Sequence, residues 1–492
     1  MTKESINVRR LPTRLMPDSR RTITRFFWPG EERAKKIIKR VKRLSPDKIS
    51  GLLKDLLKQF SPVNPGLKEI LIENYEMAAE NVGLGDENDR DVRMLIGAYF
   101  SMEYAFESAA LFNPSMVPAY DQSNVPDGSL AFIMSLRAVG EGHLSSIVFR
   151  RGIIDEKGDI KINPATLQAR AFKREKNRKF KKAAAQKEIN NLAIKNQFTD
   201  AILSELPDTF SFAMLERTIE RLAPKCEDPE AFDRISGLLK MVAESEYEIR
   251  VNRSSNMEDM VLFNLEDMVL FPVSSRESQG MEDMRLVQFE EEDGTIRYYG
   301  TYTAYNGREM VPQVLEVSPQ NYAGVRMMWG KFAKNKGMAF FPKRIDGQYA
   351  VIGRIDNENL FLMKSDSIHC WDNAKRIIEP KYDWEFVQIG NCGSPLLTEE
   401  GWLLLTHGVG PMRKYCMGAV LLDLNDPSKV VARLKAPLMS PIEQERSGYV
   451  PNVVYSCGAL IHRDMLVIPY GISDMASGFA IVNLQELLSN LK

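Results

Sequence analysis

The chain is 492 residues long, 44% hydrophobic and 27% charged, and its 65 Lys plus Arg nearly cancel its 66 Asp plus Glu. This ordinary globular balance excludes general disorder, collagen-like repeats and fibrous coiled coil, and leaves room for several compact units or one large β architecture. A formal charge of −1 provides no global field toward nucleic acid or an anionic membrane.

Residues 1–30 are basic and punctuated by Pro, an arm more than a domain. The start, MTKESINVRRLPTRLMP, has no apolar h-region, and no run in the chain approaches a membrane span. A soluble, cytoplasmic protein without a membrane partner is therefore expected. Residues 31–111 carry a helical pattern. EERAKKIIKRVKRL puts Ile37, Ile38, Val41 and Leu44 on one face and Lys and Arg on the other. Ser45-Pro46-Asp47 stops this helix and caps the next, since Pro is tolerated in a first turn. DKISGLLKDLLKQF and NPGLKEILIENYEMAAENV repeat the amphipathic pattern, and the more apolar DRDVRMLIGAYFSMEYAFESAALF is predicted to be buried.

The character then changes. Over residues 112–162 short β-branched and aromatic runs (LAFIMSLR, SSIVFRR, DIKIN) alternate with Gly, Asn and Asp turns. Residues 163–245 form a second helical block with the basic face QARAFKREKNRKFKKAAAQK. Strands resume over 246–492 with EYEIRVN, MRLVQFE, IRYYGTYTAY, MVPQVLEV, QYAVIGR, NLFLMKS, WLLLTHG, YCMGAVLLDL, VVYSCGALI, MLVIPYG and GFAIVNL. The near-duplicate MEDMVLF and LEDMVLF around residues 257–270 reads as a local doubling in a loop or hairpin.

Helices do not alternate with these strands, so a doubly wound parallel sheet is disfavoured. So much strand exceeds one sandwich, and radial repetition of four-stranded blades suits it better. The predicted fold is mainly β, a propeller with an N-terminal helical extension and a helical insertion.

Cys226, Cys370, Cys392, Cys416 and Cys457 are an odd set without CxxC spacing, read as reduced thiols. His143, His369, His407 and His462 lie far apart. No metal site is expected. GxGxxG, the GKS/T phosphate loop and the GxSxG elbow are all missing, which leaves nucleotide binding and serine hydrolysis without support. The basic helices at 33–43 and 170–187 lack interleaved aromatic platforms, so a solvated face suits them better than a nucleic-acid partner. They also suit a cover over the β domain or a homo-oligomer contact.

GMEDMR holds two adjacent carboxylates, Glu282 and Asp283, whose side chains diverge in a strand, with Arg285 able to hold either. A structural Asp–Arg pair and a catalytic acid are both compatible with this motif. Lys336, Arg354 and His407 sit at the edges of apolar strands, with Tyr415 close behind. Singly, each is an ordinary salt-bridge or capping residue; together they can converge on an anion. THGVGPMRKY and NCGSPLLTEEGW bring Gly and Pro near that pocket, as backbone approach to a ligand or a simple turn would require.

The ordered series ALFNPSMVP, IMSLRAVGEGHLSSI, GMEDMRLVQF with YYGTYTAYNG, NKGMAFFPKRIDGQYAVIGR, FVQIGNCGSPLLTEEGWLLLTHGVG, YCMGAVLLDLNDPSKVVARLKAPLMSP, GYVPNVVYSCGAL and IPYGISD resembles glycoside hydrolase family 130, the β-mannoside phosphorylases and β-mannosidases. The resemblance covers residues 112–162 and 246–485 but neither helical block. It implies a five-bladed β-propeller with its active site at the central axis. It implies that Asp283 is the proton donor, acting through a sugar hydroxyl, with Met284 where the family has Pro. It implies that Lys336, Arg354, His407 and Tyr415 hold inorganic phosphate, Lys336 standing where some members carry Arg. Arg137 and Asp474 resemble residues that bind the mannosyl unit, and Asn113 is a looser match beside them.

An inverting hydrolase needs a carboxylate base that activates water, whereas a phosphorylase needs cations around its phosphate. The cations at Lys336 and Arg354 and the imidazole of His407 are present, so the implied activity is inverting phosphorolysis of β-mannosides to mannose 1-phosphate. Phosphate is a co-substrate and no cofactor is expected. An Asp283 that donates a proton near neutrality should have a raised pKa. A water-using β-mannosidase and a non-catalytic sugar-binding propeller are the alternatives.

Overall fold

A computed structural model of the chain describes residues 6–62, 64, 66–85, 87–167, 169–171, 173, 174, 179–191, 196–226, 228–245, 247–250, 265–318 and 322–491. Most of the near-duplicate at 257–270 and part of the basic run at 170–187 lie outside these residues. What is described of the former ends in the strand Met268–Leu270, which pairs with Ser145–Ile154.

The protein is mainly β. Among the described residues there are five sheets of four to six strands, almost wholly antiparallel, and two two-stranded ribbons. Sheet 1 is built on Ala110–Pro118, Leu130–Val139 and Ser145–Ile154; sheet 2 on Met281–Glu290, Ile296–Tyr305, Met310–Ser318 and Tyr322–Met327. Sheet 3 comprises Lys336–Phe340, Tyr349–Arg354, Leu360–Ser365 and Ala374–Ile378. Sheet 4 runs through Gln388–Asn391, Gly401–Val409, Tyr415–Leu422 and Val430–Arg433. Sheet 5 joins Val454–Tyr455, Met465–Ile472, Ala476–Asn483 and the N-terminal strand Val8–Leu15.

Successive side chains of a strand point to opposite faces, and here each face meets a different neighbouring sheet. In GWLLLTHGV, Trp402 and Leu404 pack with Phe341 and Ile352 of sheet 3. Leu403 and Leu405 pack with Leu466 and Ile468 of sheet 5. Sheets 1 and 2 share Phe149, Leu286 and Tyr302, and sheets 2 and 3 share Phe289, Tyr299 and Phe340. The order closes where Phe132 and Leu136 of sheet 1 meet Val467 and Phe479 of sheet 5. Burial on both faces explains why these strands read as continuous apolar runs. Each large side chain so buried contributes about 1.5–3 kcal/mol.

Hydrogen bonds also join neighbouring sheets at or just beyond their first strands. Ser115 Oγ accepts from Leu286 N at 2.9 Å, Glu290 N donates to Pro342 O at 2.8 Å, and Cys457 N donates to Pro114 O at 2.9 Å.

The segment set apart as an arm contributes Val8–Leu15, which pairs with Ala476–Asn483. Its register shifts between Arg10 and Arg14, around Pro12, as a Pro-bearing edge strand allows. Four helices follow: α1 (Glu31–Val41), α2 (Pro46–Phe60), α3 (Leu67–Val82) and α4 (Arg90–Tyr99). Ser45 caps α2, accepting from Lys48 N at 3.4 Å, with Pro46 in the first turn. The helical pattern extended to residue 111 stops at Tyr99, and Ser101–Ala105 instead pairs with Thr22–Phe26. A second helical unit, α5 (Lys182–Asn191), α6 (Gln197–Ser204), α7 (Phe212–Leu222) and α8 (Pro229–Ser245), packs around its own core of Ile202, Phe210, Ile219 and Phe232.

A buried ion triad ties the N-terminal segment to sheet 1. Glu107 meets Arg21 Nη1 at 2.8 Å and Arg150 Nη2 at 2.9 Å, and Arg21 Nη2 donates to Glu266 O at 2.8 Å. Removing the shared carboxylate leaves two guanidinium groups buried together. Glu107→Ala is expected to lower unfolding stability by about 3–5 kcal/mol, measured by denaturant titration.

Candidate active site

Several of the polar residues singled out in the sequence stand where strands leave regular pairing. Asn113 (φ 50°), Asp283 (φ 52°) and Asp474 (φ 51°) all adopt left-handed backbone conformations. Pairing slips between Phe112 and Ser115 and between Glu282 and Arg285, so Asn113 and Asp283 sit on bulges. A bulge re-aims its side chain out of the regular alternation, and a strained backbone persists only where the surroundings hold it.

Glu282 is the hub. Its Oε1 accepts from Arg137 Nη2 of sheet 1 at 2.9 Å, and its Oε2 is paired with Lys336 Nζ of sheet 3. Asp283 Oδ1 accepts from Asn113 Nδ2 at 2.7 Å and lies 3.7 Å from Arg137 Nη1. Arg285 holds neither carboxylate side chain: its Nη1 donates to the Asp283 backbone carbonyl at 2.9 Å and its Nη2 to Tyr455 Oη at 2.7 Å. The guanidinium therefore fixes the strained backbone of Asp283.

A second group adjoins the first. Lys336 and Arg354 are direct register partners in sheet 3. Arg354 Nη1 lies 3.2 Å from His407 Nε2. Arg has only donors, so the imidazole accepts here and carries its proton on Nδ1. Burial, then the positive charges of Arg354 and Arg285, push the His407 pKa well below its ordinary value. His407 is thus a neutral ring and brings no positive charge to a bound anion. Tyr415 lies nearly parallel to it, with centroids 6.1 Å apart, and its hydroxyl receives Arg413 Nη2 at 3.4 Å. Tyr455 meets the His407 ring edge-on at 4.8 Å and joins the two groups through Arg285. Gly390 is the register partner of His407, and a Cβ there would collide with the imidazole.

The two aspartates are driven apart electrostatically. Burial pushes the Asp283 carboxyl up, but Arg137, Lys336, Arg285 and the Asn113 amide outweigh it, so its pKa lies below the usual carboxylate value. The raised pKa expected of Asp283 is corrected by these cations. Asp474 is pushed up to about 6, first by burial and then by repulsion from Asp283, with Arg137 opposing.

All eight predicted site residues are thus drawn into one connected region. Sequence reasoning missed the roles of Glu282 as a bridge and of Tyr455 and Asn391. The available signal was a polar residue inside an apolar run: Asn391 in QIGNCGSP is 1% exposed. Asn113 Oδ1, Arg137 Nε, Arg285 Nε, Arg354 Nε and Asn391 Oδ1 are buried without a hydrogen-bond partner among the described residues. Buried polar atoms are normally paired, so these five leave hydrogen-bonding capacity that water or a polar ligand can fill. No group of three or more His, Cys, Asp or Glu among the described residues could hold a metal ion. No helix there is long and apolar enough to cross a membrane.

Residues 223–492 match the family model for glycoside hydrolase family 130, described as beta-1,4-mannooligosaccharide phosphorylase. The chain belongs to glycoside hydrolase family 130. It is 35% identical over 224 residues to the 1,2-beta-oligomannan phosphorylase of Thermoanaerobacter sp. (strain X514), covering 44% of this chain and 74% of that protein. It is 29% identical over 231 residues to the beta-1,2-mannobiose phosphorylase of Listeria innocua serovar 6a, covering 45% and 63%. The solved structure of a Listeria innocua beta-1,2-mannobiose phosphorylase with beta-1,2-mannobiose aligns over 78% of this chain and 92% of that one, at 20% identity and a TM-score of 0.45. The stretch matched by the family 130 model leaves out Asn113 and Arg137, yet both contact the Glu282–Asp283 pair.

A carboxyl raised to about 6 destabilises the folded state once it ionises. The folded protein binds more protons than the unfolded chain between about pH 4 and 6, so stability falls as pH rises through that window. Asp474→Asn is expected to raise stability by about 1–3 kcal/mol at pH 7. Denaturant melts should show the gain vanishing below pH 4.

Proposed function

We propose that this family 130 protein is an enzyme catalysing inverting phosphorolysis of β-mannosides, yielding mannose 1-phosphate and a shortened sugar. The carrying observation is the cluster around Glu282: an acid, Asp283, near Arg137 and Lys336, with Arg354 paired in register to Lys336 and buried polar atoms left unpaired. The relatives' names support the same reaction class. The five sheets are read as blades of a five-bladed propeller, expected over residues 112–162 and 246–492 and joined by the N-terminal strand Val8–Leu15, with the site at its axis, residues 31–111 as a largely helical extension and 163–245 as an insertion. The closed order of shared cores supports this reading.

In this mechanism Asn113, Arg137 and Asp474 bind the mannosyl unit. Lys336 and Arg354 supply charge to phosphate, and Tyr415 a hydroxyl. His407, neutral and bonded to Arg354, orients that guanidinium. A phosphate oxygen attacks the anomeric carbon as the glycosidic C–O bond breaks, and the Asp283 proton passes through a sugar hydroxyl to the leaving oxygen. Phosphate answers a difficulty in the unliganded site, where cations hold Asp283 ionised. An incoming dianion offsets Lys336 and Arg354, and so raises the Asp283 pKa toward a protonated, donating state.

The test is a set of β-mannosides incubated with and without inorganic phosphate, assayed for mannose 1-phosphate and free mannose. Sugar phosphate formed only with phosphate is expected. Free mannose in both tubes would instead identify a hydrolase using Glu282 or Asp474 with water. Asp283→Asn should reduce turnover by roughly 100- to 10,000-fold. Arg354→Ala should raise the KM for phosphate about tenfold or more, with a smaller effect on the KM for sugar. Equal effects on both would argue against Arg354 as a phosphate ligand.

A further inference from the structure

An aromatic pair that no part of the chemistry above uses stands on the segments adjoining Arg137 and Asp474. Tyr449 is 74% exposed, yet its ring lies 5.6 Å from that of exposed His143, inclined by 35°. We propose that Tyr449 and His143 form a stacking platform for the sugar on the leaving side of the cleaved bond. This rests on the phosphorolysis reading and adds the subsite that would select the acceptor.

Both rings are held by ordered backbone. Val450 N donates to Ser473 O at 3.0 Å, and Gly448 packs so closely on Ser473 that a Cβ would collide with it. Tyr449 is therefore pinned from both sides against the turn that carries Asp474. His143 belongs to the turn after Leu130–Val139, the strand that carries Arg137. Tyr104 Oη anchors this turn by donating to Glu141 O at 2.7 Å, and Gly140 N closes it onto Leu144 O at 3.2 Å. His143 stands at φ 58°, a strained conformation for a non-glycine residue that the neighbouring Gly142, at φ 69°, helps to admit. Rigid, exposed aromatic rings lose little conformational entropy on binding.

Position supplies the second argument. In the closed order of sheets, Lys336 and Arg354 belong to sheet 3 and His407 to sheet 4, whereas Tyr449 leans on sheet 5 and His143 stands on a turn between two strands of sheet 1. Inversion requires nucleophile and leaving group on opposite sides of the anomeric carbon. With phosphate on sheets 3 and 4, the leaving sugar projects toward sheets 5 and 1. A β-mannopyranose has one face of axial C–H groups, an apolar surface that suits an exposed tyrosine ring.

The platform can be tested without turnover, by calorimetric titration of Asp283→Asn protein with methyl β-mannoside and with a β-mannotriose. The parent is expected to bind the trisaccharide more tightly. Adding Tyr449→Ala should remove about tenfold of that preference, whereas Tyr449→Phe, which keeps the ring, should restore it. His143→Ala should reduce it in the same direction. A preference undiminished by Tyr449→Ala, or lost equally with Tyr449→Phe, would overturn the platform. A parent that binds β-mannosides but lacks the preference would overturn the platform alone. A parent that binds no β-mannoside would remove the phosphorolysis reading and the platform with it.

Discussion

The site depends on one buried carboxylate. Glu282 is gripped by Arg137 from sheet 1 and by Lys336 from sheet 3, while its own strand belongs to sheet 2. A buried carboxylate lacking both cations would be strongly disfavoured, and without it Lys336 would lose its ion-pair partner while Arg137 would keep only the longer contact to Asp283. The three sheets are therefore held in register at the point where Asp283 must be aimed. Glu282 also joins the residues proposed to hold the sugar to those proposed to hold phosphate, so a displacement of Arg137 is felt at Lys336.

Backbone conformation does the remaining positioning. Asn113, Asp283 and Asp474, from three different sheets, hold left-handed conformations. A regular strand would alternate these side chains into the packed layers between sheets; bulges free Asn113 and Asp283 from that alternation, and a turn frees Asp474. Arg285 then secures the Asp283 carbonyl and Tyr455 together, and Tyr455 abuts His407. Two clusters that read as separate features of the chain thus share one scaffold.

The arrangement opposes stability where it serves function. Asp474 is held partly protonated near pH 6, and Arg354 stands against an imidazole that burial and like charge keep neutral. Such frustration is offset by the five large cores between sheets and by the N-terminal strand that completes sheet 5. A ligand with negative charge and many hydroxyls relieves it, which is consistent with the proposed phosphate and mannoside.

The sequence alone determined the strands and the residue types of the site. Runs such as GWLLLTHGV are buried on both faces, so their composition is constrained at every position, and a polar residue within them stands out. Ser45 and Pro46 likewise announced a helix start through local chemistry. Other features were settled only by residues distant in sequence. Val8–Leu15 is rich in Arg and broken by Pro, and nothing local reveals that it pairs with Ala476–Asn483 at the opposite end of the chain. Arg285 follows two carboxylates yet bonds a carbonyl and a tyrosine, because the bulge turns it away from both side chains. The ionisation of Asp283 could not be read from GMEDMR either. It is set by Arg137 and Lys336, which the fold brings from two other sheets, and electrostatic energy depends on distance through space rather than along the chain.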